Sequence, residues 1–193
     1  MLLKTNQLNH LHKNKIIEIL CESFDENQSV NFVVKQDTKR VKRIKTLMEY
    51  SFFKGIISGE IYYDEKNQAC AIILDKHKSK TTIKSIIWDI RLLFQRIGVN
   101  NIIKVLKREK ELKKLQPKNP FLHLWYLGVS VKNQGLGIGS NLIQEIIKDT
   151  EVKKLPIFLE TSTKRNFPFY EKNGFTHLNT LHSLGYELRT FIK

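Results

Sequence analysis

Apolar residues recur along this chain with two different periods, and the switches between them mark out its elements. Ile16, Ile17, Leu20 and Phe24 fall on one stripe of residues 13–24, the three-to-four spacing of an amphipathic helix. Residues 37–57 repeat the pattern with Val41, Ile44, Leu47, Met48 and Phe52. A hairpin follows, with strands expected over 60–64 and 69–75 around the polar turn 65–68. The run 81–97 predicts another helix, with Ile83, Ile86, Ile87, Ile90, Leu93, Phe94 and Ile97 on its apolar side. Gly98 interrupts it, and a second helix is expected over 99–115. Pro117 and Pro120 stop that helix before the apolar strand 121–131.

The last third alternates. A glycine-rich loop leads into a helix reaching about Glu151, then a short buried strand at 156–160 and a short helix at 167–173. Asn166 and Pro168 suit the start of the short helix, and Gly174 suits a left-handed residue at its end. Two antiparallel strands finish the chain. The first ten residues make a poor strand, so any opening edge strand is expected to be short or displaced. Helices interleaved with a mixed sheet place the fold in the α/β class, on its border with α+β.

Composition narrows the class further. A chain of 193 residues with 41% hydrophobic content suits one domain over 1–193 and excludes disorder. Its apolar runs fall short of the roughly 20 residues that span a bilayer, and the start has no secretory-signal core. Two cysteines, Cys21 and Cys70, make neither a disulfide framework nor a zinc site, and the six histidines form no metal constellation. A cytoplasmic protein is expected. The net charge of +14 is concentrated: between positions 76 and 118, thirteen Lys and Arg face only Asp89, Glu109 and Glu111. Such a stretch attracts an anionic ligand, nucleic acid or a membrane surface, or forms helices with solvated basic faces.

Candidate chemistry lies in residues 129–140, VSVKNQGLGIGS, between a strand and the start of a helix. Glycines let the backbone approach a ligand there, while unpaired amides and the helix dipole favour an anion such as a pyrophosphate. A Walker loop is excluded, because no Gly-Lys pair occurs. A dinucleotide fingerprint fits Gly135 and Gly137 but meets Ser140 at its third position. Glu160 could mimic the ribose-binding acid, yet too few strand–helix units remain after residue 131. A glycine turn that only packs helix on strand is the bland alternative.

Gln134-x-x-Gly137-x-Gly139 resembles the acyl-CoA pyrophosphate loop of the GNAT superfamily of N-acetyltransferases. Downstream, LETSTKRNFPFYEKNGF (159–175) resembles the same family's fifth strand, short helix and sixth-strand start, with Asn166, Tyr170, Gly174 and Phe175 in register. The two matches cover about residues 121–182. The resemblance implies a mixed, mostly antiparallel central sheet flanked by helices, with 76–120 as a basic helical insertion between the third and fourth strands. It implies direct transfer of acetyl from acetyl-CoA to an amine, without a metal.

The site residues follow from that resemblance. Val129 and Val131 would bond the pantetheine arm in the manner of a strand, and the Val129 amide would serve the oxyanion. Gln134, Gly135, Gly137, Ile138, Gly139 and Ser140 would hold the pyrophosphate. Asn166 would contact the pantetheine, Phe169 would pack near the cofactor, and Tyr170 would protonate the departing thiolate. A primary amine is mostly ammonium at neutral pH, and deprotonating it costs roughly 4 kcal/mol. A base, or a water chain, helps collect that proton. His123, eleven residues before Gln134 on the fourth strand, stands at the offset where members of the family resembled place a carboxylate. It is the candidate base, a core histidine being the alternative. The acceptor is expected to be an amine with acidic groups beside it, recognised by the insertion. The alternative is a GNAT-fold binding module for RNA or ribosome using the basic insertion, where Trp88 and Phe94 flank Arg91. A third reading makes 81–97 a membrane-surface helix.

Overall fold

The computed structural model describes residues 2–76 and 102–193. In chain order the elements are β1 (Leu2–Lys4), α1 (His10–Phe24), α2 (Gln28–Val33), α3 (Arg40–Ser58), β2 (Gly59–Asp64) and β3 (Ala69–Asp75). They continue with α4 (Ile102–Leu115), β4 (Leu122–Val129), α5 (Ile138–Thr150), β5 (Ile157–Thr161), α6 (Phe167–Lys172), β6 (Thr176–Leu181) and β7 (Leu188–Ile192). The helix expected over 81–97, with Trp88, Arg91 and Phe94, lies outside the described residues.

One sheet runs through the molecule in the order β1-β2-β3-β4-β5-β7-β6. Every neighbouring pair is antiparallel except β4 and β5. The short opening strand is in place at the edge, where Leu2 pairs Asp64 and Lys4 pairs Tyr62. All seven residues of β3 are buried, as a central strand covered on both faces requires.

Alternation along the strands sorts side chains onto two faces. One face carries Ile61, Tyr63, Cys70, Ile72 and Tyr126 against α1 and α3. The other carries Tyr62, Ala71, Ile73, Leu124 and Leu159 against α5 and α6. Helix α1 starts where the Asn9 side chain accepts a hydrogen bond from the His12 amide (3.0 Å), and it buries Ile16, Ile17, Ile19 and Leu20. Asn27 caps α2 in the same way, accepting from Val30 at 3.1 Å. At six residues, α2 is too short to show a hydrophobic period, which is why pattern alone passes over it.

Two local expectations need correction. The strand expected over 121–131 ends at Val129, and Val131 opens a 3-10 turn over Val131–Asn133. Asn166 occupies the capping position of α6, but its side chain makes no capping hydrogen bond. Pro168 in the first turn supplies the restriction instead. Gly174 has φ +85, the left-handed residue expected after that helix.

Candidate active site

The site begins with a parting in the sheet. Strands β4 and β5 are paired only at Leu122↔Ile157 and His123↔Phe158, after which they separate. Two features hold them apart. The β3–β4 register slips between Ile72 and Ile73, where Ile72 faces Tyr126 and Ile73 faces Leu124. Trp125 is therefore the extra residue of a bulge, which bends its strand. Farther along, the Val129 carbonyl accepts from Ser23 Oγ (2.9 Å) and Gln134 Nε2 (3.0 Å). An acceptor that a continuing β5 would need is thus already taken.

Alternation fixes which backbone groups face the gap. Ser130 N–H donates to Gln68 O across to the β2–β3 turn. Val129 and Leu127 therefore turn their N–H groups the other way, toward the parting. A strand-like ligand would meet Leu127 and Val129. Val131, beyond the strand end and largely exposed, is not placed to bond it in that manner. Leu127 carries no side-chain signal for this role, so pattern reading could not find it.

The glycine loop lies at the open end of the gap. Gly135 and Gly137 have φ of +79 and +78, and a Cβ built on either meets nothing within 4 Å. Gly137 is the N-cap of α5 and offers no side chain to cap it. The first helical bond runs from Asn141 N–H to Gly137 O, so the amides of Ile138, Gly139 and Ser140 have no intrahelical partner. Ser140 Oγ accepts from Asn173 Nδ2 at 3.2 Å, tying this helix start to the end of α6. Open space, uncapped amides and the positive end of a 13-residue helix fit a phosphate-bearing ligand.

Helix α6 brings the remaining expected residues to the gap. Phe169 packs on the glycine loop, 3.5 Å from where a Gly139 Cβ would stand. It meets Tyr170 edge-on at 5.1 Å. Tyr170 belongs to the core beside α5, with Phe175 and Phe191 against its ring, yet it also lines the cavity on the opposite face. It reaches that cavity through the parting. Its hydroxyl has no hydrogen-bond partner among the described residues. Burial, with the Glu160 charge adding to it, pushes the phenol's pKa up, so it stays protonated. Asn166, its side chain free of capping, lines the same cavity.

The cavity has a volume of about 260 Å³ and is walled by Phe24, Leu47, Tyr50, Trp125 and Tyr126. At its floor the His123 Nε2 lies 2.8 Å from Glu160 Oε2, both side chains being largely buried. Burial raises the pKa of Glu160, but His123, Arg108 and Lys76 outweigh it and hold the carboxyl below its usual range. An ionised carboxylate only accepts hydrogen bonds, so the proton of this contact sits on Nε2. The other ring nitrogen is Nδ1. It is the only fully buried polar side-chain atom without a partner among the described residues. The structure thus joins His123 to Glu160, which pattern analysis noticed only as a ribose-binding mimic. The available signal was a charged residue inside the apolar strand PIFLE.

The basic insertion contributes directly. Helix α4 turns Val105 and Leu112 inward, and Arg108 beside them is 8% exposed. Lys104, Lys107, Lys110, Lys113 and Lys114 are exposed. Arg108 is therefore a wall of the cavity and not part of the solvated face. Among the described residues no group of His, Cys, Asp and Glu is arranged to hold a metal ion.

A mixed sheet parted between two parallel strands, with an uncapped helix start at the parting, is the architecture of the GNAT class. Residues 95–177 match the family model described as acetyltransferase (GNAT) domain. An uncharacterized N-acetyltransferase of Schizosaccharomyces pombe is 41% identical over 63 residues, 31% of this chain and 26% of that protein. The chain therefore aligns with about a quarter of that relative's length. Among solved structures, a histone acetyltransferase HPA2 and related acetyltransferase from Corynebacterium glutamicum superposes with TM-score 0.72 at 17% identity, over 100% of this chain and 94% of that one. The C-terminal condensation domain of Ebony, solved with beta-alanyl-dopamine, gives 0.70 at 12% identity over 100% and 97%. The sequence likeness to GNAT acetyltransferases thus lies within residues 95–177, and the likeness of fold extends over the whole chain.

Proposed function

We propose that this protein transfers an acetyl group from acetyl-CoA to the amine of a small acceptor. The observation that carries this reading is the parting of β4 from β5 beside an uncapped glycine loop. Acetyl-CoA would supply an activated thioester. Its pyrophosphate suits the amides of Ile138, Gly139 and Ser140, with Gln134, Gly135 and Gly137 shaping the loop. Its pantetheine arm suits the gap-facing N–H groups of Leu127 and Val129, flanked by Asn166 and Phe169.

The chain's own residues divide the proton work. His123 Nδ1 accepts a proton from the acceptor's ammonium, and Glu160 orients the ring through Nε2–H and stabilises the imidazolium. Tyr170, kept protonated by burial, donates a hydrogen bond to sulfur as charge develops there. Gap-facing amides stabilise charge on the carbonyl oxygen. Neither cysteine competes as a nucleophile: burial pushes the Cys21 thiol up to about 11 and raises that of Cys70 as well. Direct transfer to the amine is the consistent route.

The cavity's size supports a small acceptor. It falls just below the roughly 300–1,000 Å³ of typical ligand pockets, too little for a folded protein segment. The RNA-binding alternative would join the exposed lysines of α4 to Trp88 and Phe94, which lie outside the described residues. Both cysteines are free, which supports a cytoplasmic setting. No described helix is long and apolar enough to cross a membrane. Calorimetric titration with acetyl-CoA, followed by thiol release with an amine panel, tests the reading. Failure to bind acetyl-CoA would sink it.

A further inference from the structure

The acceptor cavity is charged at two places. One is the His123–Glu160 pair. The other is a wall supplied by the cations Arg108, Lys76 and Lys54 with the carboxylate Glu109 among them. Arg108 spends only part of its hydrogen-bonding capacity on the protein. Its Nε donates to Tyr186 Oη at 3.1 Å and its Nη1 to Glu109 Oε1 at 2.6 Å. Nη2 has no partner among the described residues. The guanidinium is also held in place: Ser29 Oγ lies within hydrogen-bond reach of both Tyr186 Oη (3.3 Å) and Ser162 Oγ (3.2 Å), and its single proton serves one of them. A buried, braced fork with an unused nitrogen is suited to a planar anion.

Lys76 strengthens the same wall. Burial pulls its pKa down while Glu160 and Glu109 hold it up. It makes no salt bridge among the described residues. Neither cation serves the phosphates of acetyl-CoA well. Lys76 joins the sheet at Phe121, to whose carbonyl its N–H donates. The glycine loop lies beyond the other end of β4, about 25 Å of extended strand away. The cations therefore face the acceptor. A bare amine or polyamine would place its ammonium beside three cations, Lys54, Lys76 and Arg108, of which Arg108 is paired with Glu109. A carboxylate on the acceptor removes that conflict.

Resting on the acyltransferase reading, we propose that the acceptor is an amino acid or close analogue with an apolar side chain. Its carboxylate is held by Arg108 Nη2 and Lys76, its amine is presented to His123, and its side chain packs on Tyr50, Trp125 and Tyr126. In the transfer a C–N bond forms as the thioester C–S bond breaks. Of the two protons the ammonium loses, one ends on sulfur and one passes through His123 to solvent.

Matched acceptors test this in the wild-type protein: L-phenylalanine, L-phenylalaninamide and 2-phenylethylamine, with leucine, leucinamide and 3-methylbutylamine as a second set. Thiol release gives kcat/KM for each. The acid should exceed both carboxylate-free partners by about 10- to 100-fold, the range of a charge-assisted hydrogen bond in a desolvated site. The amide's amine is less basic and so easier to deprotonate, which makes the acid's advantage a demanding outcome. Arg108→Gln should shrink the ratio toward one, mainly through the KM of the acid. A folded Arg108→Gln protein that keeps the full ratio overturns the assignment of the anchor. If that variant does not fold, the wild-type ratios decide alone. Amines acetylated as well as acids would overturn the proposal and leave the acyltransferase reading intact. No turnover of any acceptor, with acetyl-CoA still bound, also overturns it. Absence of acetyl-CoA binding would remove both readings together.

Discussion

At the scale of single residues, the site depends on polar atoms that the fold leaves uncommitted. The Tyr170 hydroxyl is one. Tyr170→Phe removes it and keeps the ring contacts with Phe169, Phe175 and Phe191, so acetyl-CoA affinity should change little. Turnover should fall by about 10²-fold if hydrogen bonding to sulfur limits the rate. Wild-type turnover would return Tyr170 to a packing role. His123 Nδ1 is another such atom, and its orientation depends on Glu160. Glu160→Gln keeps the shape but removes the charge that stabilises an imidazolium. We expect kcat to drop by about 10²-fold or more, with acetyl-CoA binding retained. Equal kcat in the two proteins, measured by thiol release, would show that the pair is structural.

At the scale of elements, two helices make opposite uses of their exposed ends and faces. Helix α5 has no side chain capping its N-terminus, where the proposed reading places an anion. Gly137→Asp is an informative change, because Asp tolerates the left-handed backbone better than most residues and is a favourable N-cap. With nothing within 4 Å of the new Cβ, the variant should fold normally. Its carboxylate would nevertheless occupy the anion's place, and acetyl-CoA affinity by calorimetry should fall at least 100-fold. Unchanged affinity in the folded variant would move the cofactor elsewhere. Helix α4, in contrast, divides its charge between an inward Arg108 and outward lysines. Replacing Lys107, Lys110, Lys113 and Lys114 by Gln should alter the acceptor's KM by no more than about two-fold at physiological salt, since exposed charges are screened over about 8 Å. A larger rise would assign acceptor capture to the solvated face.

At the scale of the whole molecule, several carboxylates link stability to pH. The Arg43 side chain, bonded to Asp37, is the main cause that brings that carboxyl down to about 2. Burial works against ionisation of Asp149, but Lys4 and Tyr62 outweigh it and hold its pKa low. Glu160 is held low in the cavity. Each folded value lies below the ordinary carboxylate value near 4 that the unfolded chain retains. Stability from these groups is therefore complete above about pH 4–5 and is lost as pH falls through the folded values. Thermal melts should show Tm dropping by about 5 °C or more between pH 5 and pH 2.5. For Asp37→Asn, Tm should be lower than wild type at pH 7 and should converge with it near pH 2. Parallel curves would mean that Asp37 carries no linked stability.

Much of this protein was legible in its residues, and the reason is local. The hairpin 60–75, helix α5, strand β5 and helix α6 each declare themselves through a hydrophobic period or a capping residue, which neighbouring positions alone satisfy. Gln134, Gly137 and Gly139 are likewise readable, because a left-handed turn and an uncapped helix start are properties of a few consecutive residues. What needed the tertiary structure is whatever depends on which strands lie side by side. The pairing of β4 with β5 for only two residues creates the gap and selects Leu127 with Val129 over Val131. His123 and Glu160 are 37 positions apart in the chain and become a pair because adjacent parallel strands align them. Arg108 sits among lysines in a basic run, and only the packing of α4 over the cavity, with Tyr186 from the β6–β7 turn as its partner, decides that it faces inward. Sequence determined the elements and the glycine loop with its uncapped helix start through short-range sterics and hydrogen bonding. The His123–Glu160 pair and the charged wall of the cavity were decided by long-range strand order and burial, which bring together charges that no local pattern connects.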